Sequence, residues 1–86
     1  MCYNMIMKQV DINSQDYILG QNIARLRKEH GLTHADMEQY GITRAYYGRV
    51  ELGLHSLTID KLVLISRAFG LSPSDLFKDE KGDDIL

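Results

Sequence analysis

Residues 33–53, THADMEQYGITRAYYGRVELG, decide how this chain is read. The stretch is punctuated as two short helices joined by a tight turn. Thr33 and Thr43 stand where helices begin, and a threonine oxygen there can accept from an orphan N–H. Gly41 lies between them, where the backbone reverses and a side chain is hardest to fit. The second of the two helices carries Arg44 and Arg49 on the side away from Tyr47 and Val50. One common use of a helix-turn-helix is to place its second helix in a DNA major groove.

The flanks extend the same helical pattern. Upstream, apolar residues recur at three- and four-residue spacing: Ile18 or Leu19, then Ile23 and Leu26. This predicts a helix over residues 14–30, closed by Gly31, with Leu32 folding back on its last turn. A second helix is predicted over 33–40, with Met37 and Tyr40 inward, and a third over 43–52, closed by Gly53. Thr58 caps a fourth, which buries Leu62, Ile65 and Phe69, with either Ile59 or Val63 alongside. Ser72, Pro73 and Asp75 are N-cap, N1 and N3 of a fifth, which packs through Leu76 and Phe77. The reading is all-α, five short helices in one bundle. None is long enough to stand without tertiary burial.

Three parts are expected: an N-terminal arm or disordered tail over residues 1–13, the helical domain over 14–78, and an acidic, solvated tail over 79–86. In the arm, Tyr3, Met5 and Met7 alternate with Asn4, Ile6 and Lys8, which fits a short strand as well as a frayed end. Methionines at 1, 5 and 7 leave the translation start open. With 86 residues there is room for one small domain, and 44% apolar residues suffice for a folded core. Cys2 is the one cysteine, so no internal disulfide forms, and the chain has neither a signal-peptide pattern nor a membrane-length apolar run. A reducing cytoplasm is the expected setting.

A formal charge of −2 argues against indiscriminate coating of nucleic acid. The charge is uneven, however. Residues 17–57 carry five Lys/Arg against four acids, whereas 72–86 carry two against five. One basic face on a near-neutral domain is still compatible with DNA, at modest non-specific affinity.

These residues resemble the phage-repressor/Cro-type helix-turn-helix family, also called Xre-type. The resemblance rests on Arg27, Gly31, Leu32, Thr33, Met37, Gly41, Ile42, Thr43, Tyr47, Gly48, Glu51 and Gly53. It continues through Leu62, Ile65, Phe69, Gly70, Leu71, Ser72, Leu76 and Phe77. It implies a lambda-repressor-like bundle and a DNA-binding transcriptional regulator. There are departures. His34 replaces a phosphate-contacting glutamine, and Leu57 a proline. The spacing from Met37 to Gly41 is one residue short, so the small alanine usual in the second helix has no clear counterpart, and Glu38 stands where the family suggests otherwise. The second helix is therefore expected to end early or its turn to tighten.

The resemblance places base-reading side chains at Arg44, Ala45 and Arg49. An arginine can donate two parallel hydrogen bonds to guanine O6 and N7, and an alanine can touch a thymine methyl. Gly48, beside them, has no side chain to read with, and close approach to DNA or to the second helix would explain it. Thr33, His34 and Thr43 are expected at phosphates because helix N-termini attract anions, and Tyr46 can add its hydroxyl. The resemblance pairs Arg27 with Glu51 as a structural clamp. No cofactor is implied. The three histidines, His30, His34 and His55, are not joined by ligands at metal spacing, and no catalytic constellation is visible. The expected partner is double-stranded DNA, bound by a homodimer that meets through the last helix or the arm, with no membrane and no small-molecule effector domain. The rival reading is an antitoxin or protein-interaction module with the same fold.

Overall fold

The computed structural model describes residues 11–86, so most of the expected N-terminal arm lies outside the described residues. Helix α1 spans Gln15–Glu29. Ser14 caps it by accepting from the Tyr17 N–H at 3.1 Å, Asp16 lies in its first turn, and Arg27 and Lys28 lie in its last, each complementing the helix dipole. It ends at Gly31, and the Leu32 N–H returns to the Arg27 carbonyl at 3.0 Å. Its buried apolar face is Leu19, Ile23, Ala24 and Leu26; of the two residues left open at its start, Leu19 is the one that goes inside.

The next element corrects the expected α-helix over 33–40. It is a 3₁₀ helix, η1, spanning Ala35–Tyr40. The winding accounts for the missing residue. Six residues of 3₁₀ helix rise about 12 Å and turn about 720°; seven of α-helix rise about 10.5 Å and turn about 700°. One residue fewer, wound more tightly, thus delivers the chain to Gly41 at nearly the same height and phase. The three-residue repeat also sorts the side chains. Met37 is fully buried, whereas Tyr40, expected inward beside it, is only half-buried and outside the core; His34 is half-buried too, and Glu38 and Gln39 stay exposed. Gly41 then reverses the chain at φ 86°, a conformation that a Cβ disfavours.

Helix α2 spans Arg44–Glu51 and α3 spans Ile59–Phe69, each capped by a threonine, Thr43 and Thr58, accepting from the N–H three residues on. The last element, η2 (Pro73–Phe77), is also 3₁₀ and not α. Its bonds run from the Asp75 N–H to Ser72 and from the Lys78 N–H to Asp75, and Ser72 and Asp75 form a reciprocal capping box. The bundle among the described residues is therefore three α-helices and two 3₁₀ turns, where five ordinary helices were expected.

One core gathers Leu19, Ile23, Leu26, Met37, Ile42, Tyr47, Val50, Leu62, Ile65, Phe69 and Leu76. Val63 is partly buried, whereas Ile59 is left 74% exposed, which settles the choice at the start of α3. Buried Asn22 ties the C-terminal end to α1, donating to the carbonyls of Leu76 and Lys78, both at 2.7 Å. Beyond η2 the acidic segment is exposed yet folded back. The Ile85 N–H donates to the Phe77 carbonyl at 2.8 Å, the Lys78 ammonium meets Asp84 at 3.0 Å, and Ile85 packs on the core.

Candidate nucleic-acid interface

Helix α2 is anchored through its C-terminal half. Tyr47 and Val50 enter the core, and Glu51 is 6% exposed despite its charge. Gly20 of α1 makes the close approach possible: a Cβ there would lie 2.1 Å from the Val50 carbonyl oxygen. Beside it, the Gln21 side-chain amide donates to the Glu51 carbonyl at 2.7 Å. Gly53 closes the contact at φ 74°, its Cα lying where a Cβ would meet the Tyr17 backbone at 2.6 Å.

The Glu51 carboxylate is the hub of this anchor. Arg27 donates to it twice, from Nε at 2.6 Å and from Nη2 at 3.2 Å, and sends Nη1 to the Leu32 carbonyl at 2.9 Å. His34 Nε2 lies 3.0 Å from the same carboxylate. Burial alone would raise the Glu51 carboxyl, but the hydrogen bonds from Arg27 and His34 outweigh it and hold it below the usual range. The Arg27 guanidinium is raised, first by its bond to Glu51. Tyr47 closes the cluster. Its ring meets His34 edge-on at 5.5 Å, and its buried hydroxyl has no hydrogen-bond partner among the described residues. Burial pushes that phenol far upward, so it stays neutral.

The outward face of α2 differs in kind. Arg44, Ala45 and Arg49 are exposed, with Gly48 between them. Arg44 Nε lies 3.3 Å from Glu38 Oε2, and the Arg44 N–H reaches the same oxygen at 3.4 Å. Arg49 makes no side-chain hydrogen bond or ion pair among the described residues. This face and α1 border a cleft of ≈ 460 Å³, lined among others by Ala24, Lys28, His34, Arg44, Gly48 and Arg49. Its rim is cationic on both sides. At Gly48 a Cβ would meet only the His34 ring, at an ordinary 3.7 Å, so nothing among the described residues requires glycine there.

The four residues read as phosphate contacts all have partners within the chain. Thr33 and Asp36 bond reciprocally, at 2.8 Å from the Thr33 N–H and 3.2 Å to its hydroxyl. Hydrogen bonding from Thr33, its backbone N–H foremost, holds the Asp36 carboxyl below its usual range. The Thr43 hydroxyl accepts the Tyr46 N–H at 3.3 Å. Tyr46 donates its hydroxyl to the Ser56 carbonyl at 3.3 Å, stacks on His55, and has the Lys61 ammonium 5.7 Å from its ring. Since an ionised carboxylate only accepts, Nε2 of His34 is the donor to Glu51. A neutral His34 then has an acceptor, Nδ1, on its other side, beside Gly48.

Sequence reasoning missed Gly20, Gln21, Lys28 and Glu38. Gly20 left a signal, because a mid-helix glycine costs about 1 kcal/mol against alanine and needs a packing reason. The other three are ordinary polar residues whose neighbours only the fold supplies.

Residues 23–76, well over half of the chain, match the family described as helix-turn-helix. The chain belongs to that family, in its Xre-type form. This helix-turn-helix chain is also similar to a protein of Sinorhizobium fredii named as an uncharacterized HTH-type transcriptional regulator, y4dJ. The two are 35% identical over 60 residues, which are 69% of this chain and 78% of that one. No solved structure gives a significant match. Among the described residues of this helix-turn-helix protein, no helix is long and apolar enough to cross a membrane, and no group of three or more metal-ligating side chains is assembled.

Proposed function

We propose that this protein is a sequence-specific DNA-binding transcriptional regulator that lays α2 in the major groove. One observation carries the reading: α2 is fixed from behind while Arg44, Ala45 and Arg49 stand exposed together on its other side. Family membership and the printed name of the Sinorhizobium fredii relative support it. Arg44 and Arg49 read guanines and Ala45 touches a neighbouring base edge. Gly48 lets the backbone of α2 come close to the groove, since no neighbour among the described residues needs its small size.

Phosphates are met on the rim. Lys28 and His34 line the cleft, Thr33 and Thr43 are exposed at the starts of their helices, and Tyr46 is half-buried with Lys61 nearby. His34 donates to phosphate only once Nδ1 is protonated, because Nε2 is committed to Glu51. A single domain offers little interface, so the protein acts as a homodimer on two half-sites about one helical turn, roughly 34 Å, apart. The contact surface includes Phe77 and Leu86, the latter 51% exposed; Leu76, fully buried, belongs to the core. It works without a cofactor, in the cytoplasm, and is not an enzyme.

Selection of bound duplexes from a random-sequence pool tests the reading. The expected outcome is a two-half-site consensus whose affinity falls steeply with salt, the slope scaling with the number of phosphates neutralised. Recovery of no consensus, with no salt-dependent binding, would favour the protein-interaction or antitoxin reading instead.

A further inference from the structure

Glu38 departs from its family resemblance, and its carboxylate leans toward DNA-reading groups where a negative charge would ordinarily repel phosphate. Its pair with Arg44 is exposed on both sides, 64% for the arginine side chain and 45% for the glutamate, so stability does not explain it. The geometry suggests another use. Oε2 accepts from two donors of one residue, the Arg44 backbone N–H and Nε. The backbone bond fixes the carboxylate against the start of α2, and the bond from Nε fixes the guanidinium against the carboxylate. The Arg44 terminal nitrogens, Nη1 and Nη2, keep no partner among the described residues.

We infer that Glu38 is a positioning residue, one that presents Arg44 end-on to a single guanine; this rests on the proposed reading that α2 enters the major groove. A guanidinium can grip O6 and N7 either through its two terminal nitrogens or through Nε and one of them. With Nε occupied only the first remains. An arginine also loses much side-chain freedom when it binds, and a pre-ordered one loses less at that step. Arg49 has no such support. The two arginines are therefore unequal readers: Arg44 sets a sharp preference for guanine, and Arg49 a weaker one. The carboxylate adds a second effect, since a charge facing the phosphates weakens binding to DNA of any sequence and so lowers non-specific affinity.

The test uses the full chain and the duplex recovered by selection, with each guanine of a half-site replaced in turn by adenine. In the wild type, replacement at the position lost in Arg44→Ala should weaken binding roughly tenfold or more. In Glu38→Ala that penalty should shrink to about twofold at this one position, with penalties elsewhere, and the melting temperature, unchanged. Affinity for random-sequence DNA should hold or rise. Glu38→Gln, whose amide oxygen still accepts from Nε, should restore part of the discrimination. An undiminished penalty in Glu38→Ala, or an equal loss at every position, would overturn the inference while leaving the DNA-binding reading intact. A wild type with no preferred sequence would overturn that reading itself, and the inference with it.

Discussion

The two ends of α2 are held by different physics. At its C-terminal end, the backbone of α1 touches that of α2 at Gly20, and Glu51 is gripped by Arg27 and His34 out of solvent. At its N-terminal end, Arg44 and Ala45 are exposed, and the tie from η1 is one surface carboxylate. A helix fastened at one end and bare at the other can present side chains outward without fraying from the domain. Substitutions at the two ends should therefore separate stability from recognition.

Breaking the anchor gives the largest effect. Glu51→Ala strands the Arg27 charge and should lower unfolding free energy by about 3–5 kcal/mol in a urea titration. A variant as stable as the wild type would remove the clamp from the account. The difference has a pH signature as well. Because the folded-state carboxyl of Glu51 is lowered, its contribution is complete above the unfolded carboxyl pKa of about 4.3 and disappears as pH falls through the folded value. Wild type and Glu51→Ala should converge in stability on acidification from neutral pH, and a gap constant with pH would contradict this.

Gly20→Ala attacks the same end through sterics. With a Cβ directed at a carbonyl oxygen 2.1 Å away, backbone must shift, at a cost of about 3 kcal/mol. Calorimetry should show a lower melting temperature. The other mid-helix glycine tests the bare face with the opposite sign. Gly48→Ala meets no clash and should stabilise the protein by up to about 1 kcal/mol, while binding to the selected duplex weakens. Equal or tighter DNA binding by this variant would sink the close-approach role of Gly48.

How far the sequence could be read follows the same division. Caps, apolar spacing and turn glycines are local signals, so α1, α2 and α3 were legible almost to the residue, and so was their core. The winding of η1 was not. Its composition is that of an ordinary helix, and the tighter form answers to a length set between Thr33 and Gly41, of which the sequence gives only the short spacing from Met37 to Gly41. The 3₁₀ form of η2 was hidden because Ser72, Pro73 and Asp75 suit either winding. At the candidate site, Arg44, Ala45 and Arg49 could be named because outward positions follow from which residues point inward. His34 was read as a phosphate ligand; its bond to Glu51 spans 17 positions, and no local pattern announces it. Glu38 and Lys28 likewise acquire meaning only from neighbours brought in by the fold.

The central claim is that recognition lies on the bare face of α2 and stability on the anchored one. Its most direct test is the double variant Arg44→Ala/Arg49→Ala, followed by urea unfolding and by titration with the selected and random-sequence duplexes. The account predicts unfolding free energy within about 0.5 kcal/mol of wild type, since both side chains are exposed. It also predicts that the preference for the selected duplex collapses. A double variant that unfolds normally and still prefers the selected duplex by the wild-type margin would contradict it.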